Sequence, residues 1–180
     1  MSGNHLSKEF FELIKNIGES KSKQEEDRIM RQEVQTLKGK LDSARSGGKP
    51  QTTNKKKQKE FLVRLLYVEM LGHNGSFGYI KAVELAASTS ISHKKIGYLV
   101  CSACLSPEHE FRFMLINQLQ RDLQSSHVLE SACALIALCN LATLDMIPAV
   151  SNAVIQAMDH GSDMIRKKAI HALYKVRALL

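Results

Sequence analysis

The sequence contains no tryptophan and only three prolines in 180 residues, and aromatic residues make up just 6% of it. So little proline, set among long Ala-, Leu-, Ile-, Lys- and Glu-rich stretches, argues against a turn-dense β-sandwich and for an all-α fold. No stretch approaches the ~18–20 consecutive apolar residues that a membrane span needs. The first residues lack the apolar core of a signal peptide, because Lys8, Glu9 and Glu12 interrupt it. Missing too are H-E-x-x-H, G-x-S-x-G, a Walker loop and G-x-G-x-x-G, so no catalytic residue is assigned and no cofactor is expected.

Cysteine is sparse as well. Cys101 and Cys104 form one C-x-x-C, with Cys133 and Cys139 further on. A structural zinc needs four ligands, usually two such pairs in loops, whereas these thiols lie in Ala/Leu-rich helical stretches and read as small apolar side chains. No metal is therefore expected, and reduced thiols fit a cytosolic protein. The seven histidines are scattered, and His93, His109, His127 and His160 fall near expected helix ends, where loop or capping roles suffice.

What is present is an apolar share of 44%, enough to exclude wholesale disorder, with a formal charge of +7. One domain is the prior at this length and two are possible, with roughly 70% of the unfolded chain's surface buried on folding. The charge is uneven. Residues 1–60 carry 14 Lys and Arg against nine Asp and Glu, whereas residues 61–180 carry 11 against nine. The positive excess suits an acidic partner: nucleic acid, anionic lipid or an acidic protein.

Leu6, Phe10, Leu13, Ile14 and Ile17 recur at three- and four-residue steps, one face of a helix, with Ser7 placed to cap it and Gly18 to end it. A second helix follows, with Ser22 and Glu25 in capping-box spacing. Its apolar positions (Ile29, Met30, Val34, Leu37 and Leu41) are so sparse that it must lean on another element. The Gly-, Ser-, Thr- and Lys-rich segment that comes next predicts a flexible basic linker over 43–58, between N-terminal helices over 1–42 and a repeat region over 59–180.

From Lys55 onward, helical patterns follow at short intervals: about 58–71, 76–87, 92–105, 109–123, 127–141, 145–158 and 163–178. The segments opening at His93, His127 and Asp163 share a polar first turn followed by small and apolar residues, and they start 34 and then 36 residues apart. Helix pairs at that period predict an α-solenoid of the HEAT or armadillo kind, an ordinary helical bundle being the alternative. The apolar last helix ends without a polar cap, which predicts a trunk that continues in a longer chain.

Lys55, Lys56 and Lys57, with Lys59 and Arg64 behind them, form the one concentrated charge feature. A solvated linker edge would explain them. So would an anion site, reinforced by the positive end of a helix dipole and worth roughly 1 kcal/mol per cation at an anionic membrane. Nuclear import or nucleic-acid binding by a basic helical repeat is the competing use. Against it stand the near charge balance of residues 61–180 and the lack of aromatic platforms among the basic residues.

Four motifs in order give a family resemblance. Phe61–Ile80, with its L-L-Y-x-x-M-L-G-H-x-x-S-F-G-Y-I run, resembles the first strong trunk motif of the large subunits of heterotetrameric adaptor complexes, the adaptins of vesicle coats. Lys94–Leu99 (KKIGYL) is similar to the second motif, Asn117–Leu123 (NQLQRDL) to the third and Arg166–Ala169 (RKKA) to the fourth. Within the family, Ser7–Ile17 and Met146–Val150 most resemble the epsilon-type subunits of the fourth complex, with the gamma type of the first as rival.

The resemblance implies a non-enzymatic scaffold assembling with beta, mu and sigma subunits, cytoplasmic and peripheral on trans-Golgi or endosomal membranes, without nucleic acid. It implies that Phe10, Leu13, Ile14 and Ile17 meet the small sigma subunit. Ile80, Val83 and Met114 match the contact for an Arf-family GTPase, although core packing accounts for them equally. Lys55, Lys56, Lys57, Lys59 and Arg64 fall where some relatives hold phosphoinositide, a match by cluster into which Glu60 intrudes. Where some relatives place an Arg for acidic dileucine signals, this sequence departs with Gly18.

Overall fold

The computed structural model describes residues 7–46 and 51–180, with side chains described for 7–42 and 55–180. The described residues fold into helices and short connections, in two compact units that divide between Gly78 and Tyr79.

The first unit contains α1 (Lys8–Gly18), α2 (Lys23–Ser46), α3 (Gln51–Met70) and a 3-10 turn at Ser76–Gly78. The start signals work as their chemistry demands. Ser7 Oγ accepts from Phe10 N at 3.3 Å, and Ser22 Oγ accepts from Glu25 N at 3.2 Å. The Glu25 carboxylate answers by accepting from Lys21 N at 3.1 Å, one residue earlier than a standard capping box. At the far end of α3, Gly72 takes φ of 82°, with Gly72 N and His73 N reaching back to Glu69 O and Val68 O. This is a Schellman stop, and only glycine adopts its left-handed turn without strain. Met30, Leu37 and Leu41 of α2 are fully or nearly fully buried against α1 and α3, so the thinly apolar helix leans on its own neighbours.

A flexible linker over 43–58 is not what the structure contains. α2 runs through Ser46 and α3 starts at Gln51, which leaves only 47–50, outside the described residues, between them. Thr, Asn, Gln and Lys are tolerated in helices, and the signal for a break is confined to Gly47, Gly48 and Pro50. The boundary between compact units accordingly falls at 78/79 rather than near 59.

The second unit consists of α4 (Tyr79–Ala86), α5 (Ile91–Cys104), α6 (Phe111–Leu123), α7 (Val128–Leu141), α8 (Ile147–Ala157) and α9 (Asp163–Arg177), with a 3-10 turn at Leu144–Met146. α4 packs on α5, α6 on α7 and α8 on α9. Between these hairpins, α4, α6 and α8 make one layer and α5, α7 and α9 the other. This is the two-layer stacking of an α-solenoid, in which each hairpin buries its apolar stripe on the next. The helix limits lie within a few residues of those the periodicity predicts. Leu115, Leu119, Leu135, Leu138, Leu141 and Ile165 sit at the centre of this core.

Candidate interaction surfaces

Several motif residues are used inward. In KKIGYL, Lys94 lies in the core and donates from Nζ to Asp122 Oδ1 of the third motif at 2.5 Å, while Tyr98 Oη donates to Asp122 Oδ2 at 2.6 Å. Gln118 Nε2, one helical turn before Asp122, also donates to Oδ1 at 2.7 Å. Burial, and then the Asp122 carboxylate, push the Tyr98 phenol pKa up, so it stays a donor. Gly97 sits against α4 with Ala86 backbone in the space a Cβ would need, the nearest Cα only 2.7 Å from that position. Arg112 reaches the carbonyls of Leu141 at 2.7 Å and Leu105 at 2.5 Å, tying two helix ends together. In the fourth motif, Arg166 donates to His160 O at 2.8 Å and pairs with Asp163. The cysteines behave as apolar groups: burial pushes the Cys101 thiol up to about 12, and the Cys133 and Cys139 thiols upward.

Arg64 leaves the anion cluster for the same reason. Its side chain is 3% exposed and forked onto Glu33 of α2, Nε to Oε1 at 2.7 Å and Nη2 to Oε2 at 2.8 Å, with Nη1 on Glu9 of α1 at 2.6 Å. Lys40 also pairs with Glu9. A guanidinium so satisfied joins three helices and offers nothing to a phosphate. Hydrogen bonds from Lys40 and then Arg64 hold the Glu9 carboxyl below its ordinary value of 4.5. Glu9 and Glu33 went unread in the sequence, because their partner lies 55 and 31 residues away. Asp122 did carry a signal: it is a lone carboxylate in phase with Leu115, Gln118 and Leu119 on the buried stripe of α6.

The remaining cluster lies on the first turns of α3. Lys56 and Lys57 are exposed, and Lys55 and Lys59 half-buried. On α1, Phe10 and Leu13 are turned into the molecule, with the Phe10 ring edge-on to Tyr67 at 5.6 Å. Both therefore pack inside this chain and are not available to a small subunit. Ile14 is 39% exposed, Ile17 half-buried, and Phe11, which the helical stripe did not single out, 44% exposed. In the second unit, Val83 of α4 is 7% exposed and belongs to the core, which removes it from a contact surface. Ile80 is half-buried, and Met114 of α6 is 54% exposed beside the equally outward Phe113. No helix among the described residues is long and apolar enough to cross a membrane, and no cluster of His, Cys, Asp and Glu among them has the make-up of a metal site.

Residues 26–179 match the family described as the adaptin N terminal region. The chain is 41% identical over 169 residues to AP-4 complex subunit epsilon of Arabidopsis thaliana, covering 94% of this chain and 17% of that protein. It is 37% identical over 175 residues to AP-4 complex subunit epsilon of Dictyostelium discoideum, covering 97% and 16%. The human AP-4 complex subunit epsilon-1 is 37% identical over 163 residues, covering 91% and 14%. The chain thus spans about a sixth of the length of these curated relatives.

Proposed function

The chain belongs to the family of the adaptin N terminal region, and from that premise we propose that it forms the beginning of the trunk of a large subunit in a heterotetrameric vesicle-coat adaptor complex, most like the epsilon type. It acts there as a scaffold rather than an enzyme, in intracellular transport and cargo sorting. Its partners are the beta, mu and sigma subunits, an Arf-family GTPase and an anionic phosphoinositide surface on trans-Golgi or endosomal membranes.

The observation that carries this reading is apolar surface left outward where a scaffold needs it. α1 buries Phe10 and Leu13 against its own neighbours, yet presents Phe11 and Ile14 to the outside. Two large apolar side chains on one short helix form the nucleus of a docking patch, and the sigma subunit is the partner assigned to it. Met114 with Ile80, and Phe113 beside Met114, form the GTPase contact, Val83 supporting it only from within the core. Lys55, Lys56, Lys57 and Lys59 provide the lipid contact, each cation adding roughly 1 kcal/mol at an anionic surface. Neither contact suffices alone, so recruitment requires both together.

A GTPase pull-down tests the reading. Met114→Glu together with Ile80→Glu abolishes GTP-dependent capture of an Arf-family GTPase while helicity stays intact. Capture that is indifferent to the nucleotide, or to these two changes, removes the GTPase from the proposal.

A further inference from the structure

We infer that the face made by α5, α7 and α9 is a docking surface for an acidic amphipathic peptide segment of a partner protein, one in which carboxylates alternate with large apolar side chains. The inference rests on the helix stack alone and stands whether or not the chain assembles into a coat adaptor.

Two grooves flank α7. The one toward α5 encloses about 130 Å³ and is walled by Lys95, Leu99, Cys133 and Ile136. The one toward α9 encloses about 350 Å³, with Ile136, Cys139, Lys167, Lys168 and His171 on its walls. Ile136 and Asn140 stand on the ridge between the grooves and line both. Ile136 is 48% exposed, and Leu99 of α5 and Ile170 of α9 are exposed beside it in the stack.

The charge is one-sided. Among the described residues, no Asp or Glu lines either groove. The single carboxylate on α7, Glu130, is engaged at the start of its helix, accepting from Ser125 Oγ at 2.6 Å and lying 3.5 Å from Lys94 Nζ. Lys95 and Lys167 are both the fifth residue of their helices, so the repeat itself sets a cation on each side of α7.

An apolar floor between cationic rims selects an occupant with both chemistries, apolar side chains for the recesses and carboxylates for the lysines. Because Ile136 and Asn140 line both grooves, one peptide segment laid across α7 reaches both. Ile136 stands between two separate recesses, each of which can take a side chain, and that division favours a peptide over a continuous membrane surface.

The test is fluorescence anisotropy with the full chain at physiological salt. The probe is a fluorescein-labelled peptide of about 14 residues, four helical turns, with Glu and Leu at alternating turns. Its controls are a twin with every Glu changed to Lys and a Glu/Ser peptide without Leu. The acidic leucine peptide should bind at least about ten-fold more tightly than either control. Lys95→Glu, Lys167→Glu and Lys168→Glu together should weaken it about ten-fold or more, and Ile136→Ser alone should weaken it as well, with circular dichroism unchanged. Equal binding of the charge-reversed twin, or an affinity that none of these substitutions moves, overturns the inference. So does sedimentation with phosphatidylserine vesicles that the lysine changes abolish while peptide binding persists, since the face is then a membrane surface.

Discussion

Asp122 draws Lys94, Tyr98 and Gln118 to one buried carboxylate. Removing it by Asp122→Ala leaves the buried Lys94 ammonium with only the longer Glu130 pairing at 3.5 Å, and the expected loss is about 3 kcal/mol, read as a shift of the urea midpoint. Pairing it with Lys94→Met should recover most of that loss. A double variant as unstable as the single one would show that packing, not the weakened charge pairing, sets the cost. Gly97→Ala pushes a methyl into the Ala86 backbone and should lower stability by about 1–3 kcal/mol; an unchanged melting temperature would mean that α4 and α5 are not in close contact. Glu9 supplies a pH dependence. Its folded pKa lies below the ordinary 4.5, so its contribution is complete above that value and disappears as pH falls from there through the lowered folded pKa. Glu130, lowered first by the Ser125 hydroxyl and then by Lys94, adds in the same direction. Glu9→Gln should flatten the acid limb of the stability curve below about pH 4.5 without altering its neutral plateau otherwise than by a constant offset.

Helices themselves were legible because periodicity, caps and stops are local. Ser7, Ser22 and Gly72 act within a turn or two of their own positions. What fails at this scale is anything decided by distant residues. α1 reads as a single apolar stripe, yet packing turns Phe10 and Leu13 inward and leaves Ile14 and Phe11 out, a rotation that only α2 and α3 determine. Arg64 reads as one more cation behind a lysine run, and the two carboxylates that bury it lie on other helices. The same distinction predicts opposite behaviour along α3. Lys55→Glu, Lys56→Glu and Lys57→Glu together should leave helix content and melting temperature nearly unchanged, since Lys56 and Lys57 are exposed and Lys55 only half-buried, while reducing sedimentation with anionic vesicles. Arg64→Ala should instead unfold or strongly destabilise the first unit, because Glu33 then remains buried without its partner. Vesicle binding by the triple lysine variant equal to that of the parent would remove the lipid contact.

At the scale of the molecule, composition and repeat spacing indicated an all-α chain of stacked helix pairs, and α4 to α9 form such a stack. The division into units at Gly78 was not legible, since the glycine- and serine-rich segment before it drew the boundary some twenty residues too early. Within the trunk motifs, Lys94, Gly97, Tyr98 and Asp122 serve the core, while Lys95, Leu99 and Lys167 are exposed. Recognition is left to the outward residues: Phe11 and Ile14 on α1, the lysines of α3, and the outward side chains of the stack, with Lys95, Leu99 and Lys167 of the motifs among them. The central claim is that this chain is the seat of a small adaptor subunit. Co-expression with a sigma-type subunit, followed by size-exclusion chromatography, tests it most directly. A stable one-to-one complex is expected, and Phe11→Ser with Ile14→Glu should dissolve it while both proteins remain folded. A chain that elutes alone at every concentration, or a complex indifferent to those two changes, would contradict the account.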